Sequence, residues 1–344
     1  MILSQQGTRI IQPQPKWIKI GLYLQKIPIL KDLVTRGAIM SCSSIQNSSN
    51  SSKWISKFAK SYKIPFKGIE RCQNCATKEE CWGLFDSFND FFIRRRIGLP
   101  SVSSPARGLI VSPVDAYTIL LEENYSHIWI KGSQFSINRL FTGNETDDNH
   151  YPDILDLKKL FVFRLAPHHY HRFHAPVHGW IRKMYVLGSK KYSVDPILIQ
   201  SSARNVLTEN VRIIIAIELK DVFPTSYIYI AIIGATCVGS IIITHPKILN
   251  ALSLSTALND RHLNRMRTPR GRLGVRFTRE ENVLICPHEE LGYFEYGGST
   301  VCMAISKRRF KNLSSLSRQL LHNTKRLIET EINVGDPLCL FKLN

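Results

Sequence analysis

The feature that most restricts the fold is a long apolar stretch, YIYIAIIGATCVGSIII, which runs from Tyr227 to Ile243. Its 17 residues are at the lower limit of what an α-helix needs to cross a bilayer. The stretch is rich in β-branched residues, which favour strands, and it is interrupted near its middle by Thr236, Gly239 and Ser240. We therefore predict two buried strands joined by a turn rather than a membrane-spanning helix.

In the rest of the chain, the spacing of apolar residues changes at about Pro100. Before it, apolar residues recur at helical spacing, first from Trp54 to Tyr62 and then from Trp82 to Phe92. After it come short β-branched runs separated by Gly, Pro and Asn, which is typical of strands. We predict an α+β protein dominated by sheet. The clearest predicted strands are Leu109–Val111, Ile128–Ile130, Trp180–Leu187, Val211–Leu219 and Thr300–Ile305.

A Ser/Asn-rich stretch, SCSSIQNSSNSS, marks a boundary near the N-terminus. We divide the chain into residues 1–52, a basic N-terminal segment with a linker, residues 53–98, a helical region, and residues 99–344, a β-rich domain. In the first 40 residues basic and apolar side chains alternate, and Asp32 is the only acid. This pattern fits an organelle transit segment, an amphipathic surface helix or a disordered tail.

Charge indicates an anionic partner. The chain has 46 Lys and Arg against 27 Asp and Glu, a formal net charge of +19, while its apolar content of 44% excludes a highly charged disordered chain. The densest basic run is RHLNRMRTPRGRLGVRFTR, with seven arginines between Arg261 and Arg279. Three interpretations stay open for this run: a nucleic-acid patch, a contact with an acidic lipid surface, or a solvated loop.

The eight cysteines are too sparse for a disulfide scaffold, so a reducing compartment is the default. Cys72, Cys75 and Cys81 have the spacing of half a zinc site, but a second CxxC pair is absent from the sequence. Thiols packed beside a helix are the simpler interpretation of these three residues.

Five histidines lie close together in LAPHHYHRFHAPVHG: His168, His169, His171, His174 and His178. Because imidazole is a common metal ligand, a metal-dependent hydrolase using the His168–His178 cluster is one hypothesis. The segment contains neither HExxH nor a carboxylate, and proton transfer by one or two histidines needs no metal. We expect His168, His169 and His178 to be partly exposed polar residues between strands.

The segment ELGYFEYGGST places Ser299 directly after two glycines and before a strand-like run. A GGS sequence by itself usually means only a tight turn. Ser299 would be more than that with a base and an orienting acid beside it. A histidine of the cluster and Asp115, in SPVDAY, are residues of the right types for a serine nucleophile.

Six motifs, in order from about Phe85 to Leu340, make the chain similar to the phosphatidylserine decarboxylase proenzyme family. Neither the hydrolase hypothesis nor a basic nucleic-acid-binding protein accounts for the occurrence of these motifs together. The motifs are FNDFFIRR (88–95), SPVDA (112–116), LAPHHYHRFHAPVHG (165–179), LTENVR (207–212), VGS within IIGATCVGSI (232–241) and ELGYFEYGGSTV (290–301).

The resemblance implies a pyruvoyl-dependent lyase that processes itself. Asp115 would orient His174, and His174 would deprotonate Ser299, whose hydroxyl attacks the carbonyl of Gly298. The chain would break between residues 298 and 299, leaving a β chain of 1–298 and an α chain of 299–344 that begins with a pyruvoyl group derived from Ser299. This cofactor would serve to convert phosphatidylserine to phosphatidylethanolamine and carbon dioxide, with His171 or His174 as the proton donor.

The same resemblance implies phosphatidylserine and an anionic membrane surface as partners, with no nucleic acid. Peripheral attachment would use the helical region 53–98 and the arginine run, on a mitochondrial or other internal membrane. Homo-oligomerisation stays open. The sequence departs from the family pattern at Ala116 and His288, where Gly is usual, at His169, where an acid is usual, and at Val211, where Glu is usual.

Overall fold

The structure is a computed structural model. It describes residues 44–99, 108–122, 128–130, 133–135, 137–143, 157–190, 192, 206–219, 226–235, 241–251, 273–276, 283–297, 299–306, 310–326 and 328–341. Most of the basic N-terminal segment, most of the arginine run and Gly298 lie outside the described residues.

The protein is built around a nine-stranded sheet of antiparallel strands. The strands of the described residues are β1 Leu109–Val111, β2 Ala116–Glu122, β3 Ile128–Ile130, β4 Ser133–Phe135, β5 Leu157–Leu165, β6 Arg172–His174, β7 Gly179–Leu187, β8 Arg212–Leu219, β9 Tyr227–Ile233, β10 Ile241–Ile243, β11 Leu273–Arg276, β12 Leu284–Ile285, β13 Glu290–Phe294, β14 Ser299–Ser306, β15 Phe310–Leu313, β16 Thr330–Ile332 and β17 Pro337–Phe341. The large sheet has the order β11-β7-β8-β9-β14-β5-β2-β16, with β12 beside β7. Smaller sheets are formed by β1-β17-β15, β10-β13-β6 and β3-β4.

The large sheet is buried on both faces. In β8, Ile213, Ile215 and Ile217 pack into one hydrophobic core, whereas Ile214 and Ala216 pack into the other. Successive side chains of a strand point to opposite faces, so a strand between two cores is apolar at every position. This is why the central strands read in the sequence as unbroken apolar runs.

The strand predictions are confirmed. The apolar stretch 227–243 forms two buried strands, β9 in the large sheet and β10 in a small one, and its turn residues 236–240 lie outside the described residues. The other five predicted strands match β1 and β3 or lie within one residue of β7, β8 and β14. In the described part of the chain no helix is long and apolar enough to span a membrane.

The helices are short, and three of the α-helices begin at a capping side chain. Thr77, Ser87 and Ser314 each accept a hydrogen bond from a backbone N–H of the helix that follows, a contact that typically contributes about 1 kcal/mol. The α-helices are α1 Ile55–Ser61, α2 Lys78–Trp82, α3 Phe88–Phe92, α4 Ile137–Thr142, α5 Val206–Glu209, α6 Pro246–Ala251 and α7 Ser315–Lys325, and 3₁₀ helices span Ser49–Trp54 and Glu70–Cys72.

The N-terminal helices share an aromatic core of their own. Trp82, Phe91 and Phe92 are buried in it, whereas Trp54 is 41% exposed. The predicted linker is wrong in its second half, because Ser51 is buried and its Oγ accepts a hydrogen bond from the backbone N–H of Phe88 at 2.8 Å. Ser and Asn residues there cap and fix a 3₁₀ turn instead of forming a spacer.

The cysteines of this region correct both sequence interpretations. Cys72 and Cys81 form a disulfide with their Cα atoms 5.0 Å apart, and Cys75 is a free, half-buried thiol. The spacing that suggested half a zinc site therefore closes a short covalent loop around α2. Composition argued only against a disulfide scaffold, and it could not indicate whether two neighbouring cysteines form a single disulfide.

Candidate active site

Backbone hydrogen bonds bring three motif segments together. The N–H of His174 donates to the carbonyl oxygen of Pro113 at 2.9 Å, next to Asp115 in the chain. β6 and β13 pair so that His174 lies opposite Glu290, and β14 and β5 pair so that Ser299 lies opposite Leu165. The SPVDA, YHRFH and GGST segments thus meet at the ends of these strands.

Ser299 is the first residue of β14, at the centre of the large sheet. Gly297, two residues before it, has φ 152°, a conformation that residues with a side chain disfavour. The Ser299 side chain is fully buried, and its Oγ has no hydrogen-bond partner among the described residues. A buried hydroxyl without a partner costs about 1–3 kcal/mol, so its presence calls for a functional explanation.

His174 is held as a neutral base. Its Nδ1 lies 2.6 Å from the carbonyl oxygen of His288, and its Nε2 lies 3.1 Å from the hydroxyl of Tyr170. A carbonyl can only accept, so Nδ1 carries the proton and the Nε2 lone pair accepts from Tyr170. Burial lowers the pKa of His174, which keeps the ring neutral at pH 7.

The carbonyl that holds His174 belongs to a residue in a strained conformation. His288 has φ 70°, in the left-handed region that non-glycine residues adopt at a cost of about 1–2 kcal/mol. This explains why Gly is usual at this position in the family pattern. The N–H of His288 donates to the carbonyl oxygen of Ala175 at 2.9 Å, and the His288 carbonyl oxygen contacts His174. These two hydrogen bonds hold His288 in its strained conformation.

Asp115 is buried and binds two groups. One oxygen accepts from the backbone N–H of Val334 at 2.7 Å, and the other accepts from Arg96 at 2.6 Å. The Arg96 guanidinium lies 5.6 Å from the ring centre of Tyr170, whose hydroxyl contacts His174. Asp115 is therefore linked to His174 through Arg96 and Tyr170.

The three residues of the expected triad thus share one region without touching. Among the described residues, no side-chain hydrogen bond joins any two of Asp115, His174 and Ser299. In the strand pairing, Ser299 lies opposite Leu165, the last residue of β5. Ala166 follows Leu165 in the chain.

His171 lies at that end of β5. Its ring is fully buried and stacks on Phe92 with centroids 3.8 Å apart. Its Nε2 lies 3.0 Å from the carbonyl oxygen of Ala166, so Nε2 carries the proton, and the buried Nδ1 has no partner among the described residues. Burial, and secondarily the charge of Arg94, lower the pKa of His171 well below its ordinary value.

His169 corrects one expectation and weakens the metal hypothesis. It is buried rather than partly exposed, because its Nδ1 accepts from the N–H of Ala166 at 3.0 Å and its Nε2 lies 3.2 Å from Glu331. With Nδ1 accepting, Nε2 carries the proton and is not a free metal ligand. His168, His169 and Glu331 each have one potential metal-ligand atom, and these three atoms lie within 4.8 Å of one another. His168 and His178 are half-buried, as predicted.

Two residues of the FNDFFIRR motif, Ile93 and Arg94, make hydrogen bonds with the histidine segment. Arg94 is buried, and it donates to the carbonyl oxygens of His168 and His169 at 2.8 and 3.3 Å. Burial lowers the pKa of Arg94 to about 10. Arg172 donates to the carbonyl oxygen of Ile93 at 2.9 Å and to Glu290 at 2.8 Å.

Two of the departures from the family pattern have structural accounts. Ala116 begins β2 and pairs with Ile332 in an extended conformation that any residue adopts. Val211 removes a carboxylate beside Arg212, but the buried guanidinium is satisfied without one. It donates to the backbone carbonyl oxygens of Arg139, Leu140, Thr208 and Asn210 at 2.6–3.0 Å.

Sequence reasoning missed four residues that hold the site: Arg94, Arg96, Tyr170 and Glu331. The arginines follow an aromatic helix in an uninterrupted basic run, which reads as surface charge. Tyr170 lies within the histidine motif, in which only the histidines have side chains typical of a base or a metal ligand. Glu331 is far from the motifs in sequence and had no signal.

Comparison with known proteins follows the same motifs. A family model described as phosphatidylserine decarboxylase matches residues 88–327. "Phosphatidylserine decarboxylase proenzyme 2" of Saccharomyces cerevisiae is 29% identical over 84% of this chain, and the rice protein of the same name is 29% identical over 73%. The chain spans only 21% and 34% of the lengths of these two relatives. "Phosphatidylserine decarboxylase proenzyme" of Clostridium novyi is 25% identical over 94% of this chain and 91% of its own length.

Proposed function

Because the chain belongs to the phosphatidylserine decarboxylase family, we propose that it cleaves itself at Ser299 and then converts phosphatidylserine to phosphatidylethanolamine and carbon dioxide. The observation that carries the proposal is the buried, unpartnered Ser299 hydroxyl at the head of a central strand, paired with Leu165 beside the Ala166 carbonyl that contacts His171. Metal-dependent hydrolysis is disfavoured by the protonated Nε2 of His169.

Self-cleavage needs a base for the Ser299 hydroxyl. We assign this role to His174, whose Nε2 lone pair becomes available when the Tyr170 hydroxyl turns away. The Ser299 oxygen then bonds to the carbonyl carbon of Gly298, which lies outside the described residues, while the Gly298–Ser299 C–N bond breaks and the nitrogen takes up the proton from His174. The resulting ester eliminates the Gly298 carboxylate and leaves a dehydroalanine, which water hydrolyses to the pyruvoyl group and ammonia. Asp115 supports His174 through Arg96 and Tyr170.

The pairing of β14 explains how two chains would stay together after the cut. β14 lies between β5 and β9 and is hydrogen-bonded to both. The α chain of 299–344 also supplies β16 and β17 to two different sheets, so its removal would open both. Each of these strands is held without the peptide bond at residue 298.

Ser299 fits a residue that becomes a pyruvoyl group, because its buried oxygen makes no contact that conversion would break. A pyruvoyl group at this position would supply a carbonyl able to take up the electrons released as carbon dioxide leaves. His171 has a bare, buried Nδ1 and is neutral. It accepts a proton from the substrate's ammonium group and returns it to the carbon that loses carbon dioxide.

Access to the lipid requires contact with a membrane surface, and the exposed side of the N-terminal region suits this role. Trp54 is exposed, while Trp82 and Phe92, which lie in the same predicted membrane-attaching region 53–98, are buried. Four lysines near Trp54 in the sequence are also exposed, and each contributes about 1 kcal/mol near an anionic surface. They are Lys53, Lys57, Lys60 and Lys63. The compartment, a mitochondrial or other internal membrane, stays a prediction, as does any homo-oligomer.

The test of processing is the intact mass of the purified protein. We expect the wild-type chain to give two fragments, the smaller starting with a pyruvoyl group, and Ser299→Ala to remain a single chain without decarboxylase activity. Ser317→Ala is a matched control, because Ser317 is also fully buried with an unpartnered hydroxyl but lies in α7. It should mature normally. Fragments from Ser299→Ala would refute the proposal.

Two histidine variants separate maturation from turnover. His174→Ala should remain uncleaved, because a serine hydroxyl is a weak nucleophile without a base. His171→Ala should still self-cleave to a measurable extent, and its release of carbon dioxide per pyruvoyl group should fall by roughly 10²- to 10⁴-fold. Wild-type turnover in matured His171→Ala would remove His171 from the mechanism.

A further inference from the structure

A chain of hydrogen bonds connects the surface residue Glu331 to the buried ring of His171. Glu331 lies 3.2 Å from Nε2 of His169, and Nδ1 of His169 accepts from the N–H of Ala166 at 3.0 Å. The carbonyl oxygen of Ala166 lies 3.0 Å from Nε2 of His171. The same carbonyl oxygen also accepts from the backbone N–H of His169 at 3.0 Å, so the main chain and the side chain of His169 both hold the backbone of Ala166.

Each contact in this chain fixes the direction of a proton. A backbone N–H can only donate, so it leaves Nδ1 of His169 bare and puts the proton on Nε2, facing the Glu331 carboxylate. A backbone carbonyl can only accept, so it puts the proton of His171 on Nε2. The other His171 nitrogen, Nδ1, is then bare, and it is the buried atom without a partner.

We propose that His169 and Glu331 are positioning residues, which hold the backbone of Ala166 so that His171 keeps its Nε2–H tautomer and presents a bare Nδ1 to the substrate. The ring of His169 makes one contact with the backbone, through Nδ1 and the Ala166 N–H. The histidine adds a second contact, to Glu331. His169 and Glu331 lie on opposite sides of the proposed cut at residue 298, so the contact joins the two chains.

Two substitutions separate the two ring nitrogens of His169. The oxygen of Asn lies close to where Nδ1 was, so His169→Asn keeps an acceptor for the Ala166 N–H. The amide of Gln reaches about as far as Nε2, so His169→Gln keeps the contact with Glu331 and loses the one with Ala166. His168→Asn is the control for the Ala166 contact, because it removes an imidazole 3.9 Å from Glu331 but leaves the hydrogen bond between His169 and the Ala166 N–H in place.

The test reads the His171 tautomer directly and does not require an active enzyme. The full chain carrying Ser299→Ala is labelled with ¹⁵N-histidine, and long-range ¹H–¹⁵N correlations identify which ring nitrogen of His171 is protonated. We expect Nε2–H in the parent, in His169→Asn and in His168→Asn. We expect His169→Gln to show a mixture with the Nδ1–H tautomer, and Glu331→Ala, a change at an exposed residue, to shift the signals in the same direction.

Turnover supplies the second measurement, and this part of the inference rests on the proposed function. In chains that retain Ser299, carbon dioxide release per pyruvoyl group should fall by roughly 10- to 100-fold in His169→Gln, as expected for a misplaced catalytic group, and His169→Asn should restore most of it. An unchanged His171 tautomer in both His169→Gln and Glu331→Ala would overturn the positioning role, as would equal effects of Asn and Gln. A chain that never releases carbon dioxide would refute the proposed function and leave the tautomer result standing.

Discussion

The replacement of Asp115 by Asn isolates the charge of one buried carboxylate from its shape. Asn keeps an oxygen that can accept from the backbone N–H of Val334, but its amide hydrogens would face the guanidinium of Arg96. The variant therefore loses one charge-assisted hydrogen bond. Such bonds contribute about 1.5–3 kcal/mol. Because the Arg96 side chain is 36% exposed and regains water, we expect a loss of about 1–2 kcal/mol.

This loss should be visible as a change in melting temperature. For a domain of this size about 1 kcal/mol corresponds to roughly 2–4 °C, so Asp115→Asn should lower Tm by roughly 2–8 °C. Both proteins should be measured in the Ser299→Ala background, in which neither chain is cut. With Ser299 present, Asp115→Asn should accumulate as the uncleaved chain, because the link through Arg96 and Tyr170 to His174 is broken.

Asp336→Asn is the matched control for this experiment. The Asp336 carboxylate accepts from the backbone N–H of Asn333 at 2.8 Å in an exposed turn, a contact that Asn can also make. We expect a change in stability below about 0.5 kcal/mol and normal maturation. If Asp115→Asn matured at the wild-type rate, Asp115 would have no part in cleavage. A melting temperature equal to that of Asp336→Asn would show that the ion pair with Arg96 contributes nothing.

Two further predictions follow from the histidines. Burial lowers the pKa of His169, His171 and His174 in the folded chain, so the unfolded chain binds more protons below about pH 6.5. The free energy of unfolding of the Ser299→Ala chain should be highest above that pH and should fall in acid by up to about 1.4 kcal/mol per pH unit for each histidine. Urea unfolding at several pH values measures this, and a free energy that does not change with pH would contradict the prediction. His288→Val should destabilise the chain by about 2 kcal/mol and slow self-cleavage relative to His288→Gly, because a β-branched residue is strained at positive φ; equal cleavage rates in a time course would contradict the role of the His288 carbonyl.

The strands were predictable because local pattern and global burial agree. Neighbouring residues such as Ile214 and Ile215 point to opposite faces of the sheet, and both faces are covered by hydrophobic cores. A strand in this position is apolar throughout, and such an apolar run can be recognised in the sequence. The sequence did not indicate which strands pair. β9 and β10 are close in the chain but belong to different sheets, a result that depends on long-range contacts with β14 and β13.

The candidate site was predictable in its residue types and not in its contacts. Ser299, His171, His174 and Asp115 stand out because they occur in motifs, and all four are buried, while their roles stay predictions. Their partners are single residues from distant segments, as with Glu331. Contacts of this kind have no period and no spacing. The backbone carbonyl of His288 is a further case, since every residue has one and only its strained φ distinguishes it.

The C-terminal segment connects cleavage to the later chemistry. Glu329 binds Arg164 through two oxygens, at 3.1 and 2.6 Å, Glu331 binds His169, and the Val334 N–H binds Asp115. These contacts all join residues on either side of the proposed cut. A chain cleaved at residue 298 therefore keeps its histidines in place only while the smaller fragment stays bound. A segment that supplied the serine alone could leave after cleavage without disturbing the rest of the site, but this segment also holds Asp115 and His169. On the proposed function, maturation and catalysis would therefore depend on the same noncovalent contacts, and we expect their loss to release the α chain and disorder the site together.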